Sequence, residues 1–281
     1  MARFIHPQDP PRRHGAFTLV ELLVLLATLA VLAALLLPAL ARTDDHGARV
    51  VCTGNFRQLG MAGIMYAGDN RDTLAYPNWD GGANGSPPGW LYWVGADAAL
   101  GATIPSPYGA TAPYALLSAG VGAWKTGTWY TYVNNYHTYL CPVDVESRDY
   151  LLPAAALGRQ NKLSTYVMNG AVTGYPGSGY GTPCKISDAW NPACYLLWEP
   201  DENSSGLGNP GAFEYNDAAN LPSASEGLGR LHSPNGGEIM SVDGAVKFVP
   251  TQAWRSQVVQ PGSGPGGRTL AFWSTGAGNG H

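Results

Sequence analysis

The chain has 281 residues, a formal charge of −4 and charged side chains at only 13%. Without an excess of Lys and Arg it lacks the electrostatic footprint of a nucleic-acid-binding protein. Its 37 glycines and 22 prolines interrupt helices and argue for a loop-rich, aromatic-rich, β-containing surface, commoner outside the cell than in cytosolic enzymes. The N-terminal region is more specific. Residues Phe17 to Ala41 form one long apolar run, entered through Gly15-Ala16 and holding a single carboxylate, Glu21. A charge there costs about 2.5–3.5 kcal/mol on insertion scales, so Glu21 is expected to meet a partner. Arg3, Arg12 and Arg13 precede the run, and Asp44 and Asp45 follow it. That asymmetry holds the N-terminus in the cytoplasm and sends the rest outward. A plain membrane anchor is one alternative. An ordinary secretory signal is another, but it carries a shorter apolar core of about 7–15 residues with a small-x-small cut after it, and no acid at its start.

This pattern resembles the leader and N-terminal helix of type IV pilins and type II secretion pseudopilins. The resemblance implies cleavage by a prepilin peptidase between Ala16 and Phe17, N-methylation of Phe17, and an assembly role for Glu21 as the fifth mature residue. Pro38 falls where the family often kinks its helix. Ala16 departs from the usual Gly before the cut; cleavage after Gly15 would make Glu21 the sixth residue. Loss of residues 1–16 leaves 13 basic and 19 acidic residues, a formal charge of −6. The implied partners are the peptidase, the inner membrane, and other copies or related pseudopilins in a filament. The mature domain would then be periplasmic or extracellular.

Beyond the run, Cys52, Phe56, Leu59, Gly63 and Tyr66 recur as one stripe of a 3.6-period helix. Asn55, Arg57 and Gln58 lie off the stripe, and Gly68-Asp69-Asn70 ends it. The expected layout is a leader at 1–16, a transmembrane and assembly half-helix at 17–41, an amphipathic half-helix at 42–70, and a globular domain at 71–281. The segment CTGNFRQLGMAGIMYAGDN, Cys52 to Asn70, resembles a stretch common in a large bacterial subgroup of the same family. So do YLCPVD, Tyr139 to Asp144, and RLHSPNGGEIMSVDGAVKFV, Arg230 to Val249. In the subgroup the last segment carries a His followed by Asp-Gly; here His232 precedes Asp243-Gly244 with ten residues between them, one more than usual.

Four cysteines lie beyond the apolar run: Cys52, Cys141, Cys184 and Cys194. An even count in an oxidising compartment argues for disulfides. Three connectivities are open, and Cys184 with Cys194 and Cys52 with Cys141 are preferred, the second stapling the helix to the domain. Zinc is the competing reading, but no pair has C-x2-4-C spacing.

Residues 76–138 are rich in Trp, Tyr, Pro and Gly and include Trp79, Trp90, Trp93, Trp124 and Trp129. They are expected to form an insertion with short strands. Its aromatics serve either as core or as exposed faces for glycans or a partner protein. Further on, Tyr195 to Trp198 reads as a strand. Glu238 to Val242 and Ala245 to Val249 read as a hairpin about Asp243-Gly244, with a second turn at Asn235-Gly236-Gly237. His232 and Asp243 are expected to meet in this unit as structural partners. Pro261 to Gly267 spells G-x-G-x-x-G without the βαβ context that gives the pattern meaning.

No G-x-S-x-G elbow, H-E-x-x-H helix or P-loop occurs, and Ser233, His232 and Asp243 are a triple that any chain of this size offers. No catalytic residue is assigned. In the resembled family, major pseudopilins often bind calcium in a C-terminal loop, and Glu199, Asp201, Glu202, Asp217 and Asp243 are the carboxylates available for one. The expected fold is α+β and pilin-like: a long N-terminal helix packed on a domain with a C-terminal antiparallel sheet. The leading functional expectation is a structural filament subunit, either of a type II secretion pseudopilus that moves secreted cargo or of a type IV pilus-like fibre. A filament-displayed glycan-binding module and a surface enzyme are the alternatives.

Overall fold

A computed structural model describes residues 18–78, 87–93, 122–151, 162–174, 181–201, 218–222, 227–258 and 268–273, and the side chains of 35–46 and 148–149 are not described. Ala16, Phe17, Trp79, Glu202, Asp217 and the 261–267 stretch lie outside the described residues, as does the side chain of Pro38. The chain divides into two units, Met1–Asp44 and Asp45–His281. Helix α1, Leu19–Asp69, contributes to both.

In the first unit α1 opens with a capping box. Thr18 donates its backbone N–H (2.9 Å) and its hydroxyl (2.8 Å) to Glu21, whose own N–H donates to the Thr18 hydroxyl at 3.2 Å. Reciprocal bonding of this kind satisfies donors that every helix start leaves orphaned. The residues that follow are apolar all round the helix and exposed, among them Leu22, Leu23, Val24, Leu25 and Leu26 in succession. Among the described residues no helix is long and apolar enough to cross a membrane.

In the second unit α1 buries one face. Cys52, Phe56, Leu59, Gly63 and Ala67 point inward with Tyr66 half-buried, in the 3.6-residue rhythm of the sequence. Burial of a side chain such as Phe56 contributes about 1.5–3 kcal/mol. Asn55, expected to face away from that stripe, is buried beside it. It donates to the Leu140 carbonyl at 2.9 Å and to the Tyr166 hydroxyl at 3.3 Å, which makes its burial tolerable.

The helix packs on a five-stranded sheet of order β3-β1-β2-β4-β5. Its strands are β1 Val167–Asn169, β2 Tyr195–Trp198, β3 Ala219–Asn220, β4 Gly236–Ser241 and β5 Val246–Pro250. The sheet is mixed, not purely antiparallel as expected, because β3 runs parallel to β1. Both faces are covered. Met168, Leu197 and Met240 join Phe56 and Leu59 in one core, while Val167, Trp198 and Ile239 pack with Trp254 and Phe272 in a second. Successive strand residues point to opposite faces, so neighbours such as Ile239 and Met240 divide between the two cores. Trp254 belongs to helix α6, Thr251–Gln257, and stacks on Tyr195 with ring centroids 6.0 Å apart.

The hairpin forms where expected, with a different turn. The Gly244 N–H donates to the Ser241 carbonyl and the Ser241 N–H to the Ala245 carbonyl. Only Gly244 takes positive φ (79°), and Asp243 does not. The connection is therefore a three-residue loop closed by a left-handed glycine, not a two-residue turn with both residues left-handed. Gly236 and Gly237 lie inside β4 and make no turn of their own.

The aromatic insertion contributes core. Among its described residues, helices α2, Gly122–Lys125, and α3, Tyr130–Val133, and an isolated bridge between Tyr76 and Gly89 replace the expected short strands. Trp90, Trp124 and Trp129 are buried, and the Trp90 and Trp124 indoles donate to the carbonyls of Ala218 and Leu163.

Candidate functional site

Four polar side chains from separate segments converge beneath the sheet end. Cys52 comes from the buried face of α1. Cys141 is the N-cap of helix α4, Pro142–Val145, which helix α5, Arg148–Leu151, follows. Its position is set by Thr165, whose hydroxyl accepts the Cys141 N–H at 2.8 Å and donates to the buried Asp144 carboxylate at 2.6 Å. Glu199 directly follows β2, and its carbonyl accepts the Gly229 N–H. His232 lies in the segment that leads into β4.

One ligand-type atom from each of Cys52, Cys141, Glu199 and His232 lies within 4.8 Å of the other three. The His232 Nε2 is 3.3 Å from the Cys141 Sγ and 3.5 Å from a Glu199 carboxylate oxygen. Cys52, Cys141 and Glu199 are wholly buried, and the His232 side chain is 2% exposed. Neither Glu199 oxygen has a hydrogen-bond partner among the described residues. A buried carboxylate without hydrogen bonds is costly, several kcal/mol, unless something compensates its charge.

The electrostatics follow from that crowding. Burial pushes the Glu199 carboxyl up to about 7, against the pull of His232. Burial also works against a charged His232, but Cys141 and Glu199 outweigh it and raise the imidazole to about 10. Cys52, as hydrogen-bond partner, pulls Cys141 down to about 6, helped by His232, while Cys52 itself is driven up by Cys141 and by burial. Tyr166, held by Asn55, lies beside Cys52 and favours its charged form.

Such a set can ligate a soft or borderline cation, close a disulfide, or act as a thiolate–imidazole pair. The last needs a substrate at the sulfur, and Cys141 is wholly buried. A cleft of about 780 Å³ lies between the β2 exit and α6, yet its walls are Asp201, Arg230, Trp254, Arg255 and neighbours, and none of the four clustered residues.

Other expected site residues are placed differently. His232 meets Cys141 and Glu199, not Asp243. Asp243 is occupied within its own turn, accepting the Ser241 hydroxyl at 2.6 Å and the Ala245 N–H at 3.0 Å. Of the calcium candidates, Glu199 faces His232, Asp201 pairs with Arg230 at 3.0 Å, and Asp243 holds the turn, so these three do not converge on one ion. No S–S bond joins the four cysteines, and Cys52 and Cys141 lie in side-chain contact. Cys184 and Cys194 share the first core, and burial raises each to about 12.

The cluster was hidden in the sequence because its members lie at 52, 141, 199 and 232, far beyond any local metal-ligand spacing. A signal was present all the same. Three segments singled out in the sequence, Cys52 to Asn70, Tyr139 to Asp144 and Arg230 to Val249, each carry one of these residues: Cys52, Cys141 and His232. No known protein family, curated protein or solved structure matches the chain.

Proposed function

We propose that the chain is a pilin-like structural subunit, of a type II secretion pseudopilus or a type IV pilus-like filament, made as an inner-membrane precursor and cut by a prepilin peptidase between Ala16 and Phe17. The observation that carries this reading is the N-terminal segment: an apolar surface with no polar side, entered behind a basic leader and interrupted only by Glu21. A helix apolar on every side is stable only where lipid or other helices cover it. In a filament the neighbouring copies supply that cover, and Glu21 meets the N-terminal ammonium of an adjacent Phe17. The amphipathic continuation of α1 anchors the globular domain through the buried stripe from Cys52 to Ala67. Two further contacts tie it to β4: Arg49 at 3.1 Å and the Thr53 hydroxyl at 2.8 Å from the Glu238 carboxylate.

The test is Glu21→Val, examined alongside the N-terminus of the purified protein. The variant should insert in the membrane normally while filaments sheared from the cells lose the chain. Mass spectrometry of the wild type should find an N-methylated Phe17. Filaments of normal abundance from Glu21→Val, or an intact Met1 in a host with active prepilin peptidase, would remove the basis of the reading.

A further inference from the structure

We infer that Cys52, Cys141, Glu199 and His232 form a closed, four-coordinate site for one divalent zinc ion, which clamps α1 to the sheet. Two of the separations between these atoms match those of a tetrahedral zinc site. Around Zn2+ with ordinary bond lengths, sulfur and nitrogen lie about 3.5 Å apart and nitrogen and oxygen about 3.4 Å. The corresponding distances are 3.3 Å from Cys141 to His232 and 3.5 Å from His232 to Glu199, and all four ligand atoms fall inside 4.8 Å.

The donor set selects the metal. Two thiolates and an imidazole favour zinc over calcium or magnesium, which take oxygen. Four protein ligands fill a tetrahedral shell and leave no position for water or substrate, which marks a structural centre and not a catalytic one. The ion would also compensate a wholly buried carboxylate whose oxygens lack a hydrogen bond and which faces the His232 Nε2 at 3.5 Å. Binding leaves two thiolates, one carboxylate and one neutral imidazole around the 2+ ion. The protons those groups carry without the ion pass to solvent. Tyr166 supplies the outer shell, its hydroxyl beside Cys52 and fixed by Asn55 at 3.3 Å. The four ligands come from α1, the N-cap of α4, the end of β2 and the lead into β4, so one ion joins four segments distant in sequence. A Cys52–Cys141 disulfide would use the same two sulfurs and exclude it.

The full chain, purified in detergent without chelator, should hold one zinc per chain by elemental mass spectrometry. After exchange with Co2+ it should show the visible absorption of tetrahedral thiolate-bound cobalt. Cys52→Ser and Cys141→Ser should abolish that absorption. Glu199→Gln should weaken zinc binding at least tenfold, and Tyr166→Phe about tenfold. Cys184→Ser should keep full stoichiometry. If a ligand variant does not fold, the wild type still decides: chelation should expose two thiols to alkylation at Cys52 and Cys141. Zinc well below one per chain after incubation with excess Zn2+ would overturn the inference. So would a Cys52–Cys141 disulfide peptide from cells alkylated at lysis.

Discussion

Gly244 shows how much one backbone conformation can carry. Its φ of 79° closes the β4–β5 loop, and a Cβ there would stand 3.2 Å from the Ile64 Cδ1 of α1. The left-handed region costs an ordinary L-residue about 1–2 kcal/mol. Gly244→Ala is therefore expected to destabilise the domain by about that amount in denaturant unfolding, while Gly244→Asn, which tolerates the region, should cost less. Asp243 beside it is legible in sequence as a turn residue, since Asp-Gly between β-prone runs is a hairpin signal. Its partners are not, because Asp243 bonds its own turn and leaves His232 to Cys141 and Glu199. Sequence proximity favoured the wrong carboxylate for His232; the right one is brought near by pairing of β2 with β4.

At the scale of elements, the meeting of α1 with the hairpin depends on Gly60. A Cβ built at this position lies 2.8 Å from the Met240 Sδ and 3.2 Å from the Gly244 Cα, so the helix cannot approach the sheet as it does with a larger residue there. Gly54, three residues from Arg57 on the same helix, has nothing within 4 Å of its Cβ position. Gly60→Leu should lower stability by about 1–3 kcal/mol through overpacking. Gly54→Ala should raise it by about 0.5–1 kcal/mol through helix propensity. Thermal unfolding of the two variants side by side should shift in opposite directions, and a parallel shift would contradict the packing described. The buried stripe of α1 is readable from its period, but Asn55 is not, because its partners Leu140 and Tyr166 come from distant parts of the chain.

For the whole molecule, the two units have opposite surfaces. Asp45–His281 encloses two cores on either side of its sheet, whereas Leu19 to Leu32 exposes leucines and valines. A chain beginning at Asp45 is expected to fold and to remain in the aqueous phase on detergent phase separation. The full chain should partition into detergent, because its apolar helix surface needs a cover that water does not provide. Circular dichroism and partition of both proteins check this, and an unfolded or detergent-bound Asp45–His281 product would count against two self-contained cores.

Local properties were determined by the sequence itself: the apolar run with Glu21, the buried stripe of α1, the β2 strand and the site of the hairpin. Each rests on residues within a few positions of one another, where helical and strand periods and turn chemistry act directly. Only the tertiary structure decided the parallel pairing of β3 with β1, the burial of Trp90, Trp124 and Trp129, and the union of Cys52, Cys141, Glu199 and His232. These depend on contacts across tens of residues, and periodicity cannot encode which distant segments share a core. The expected pairing of Cys52 with Cys141, as a staple of helix to domain, brought these two residues together but omitted the imidazole and carboxylate beside them, because a strand end and a strand lead-in become neighbours only when the sheet forms.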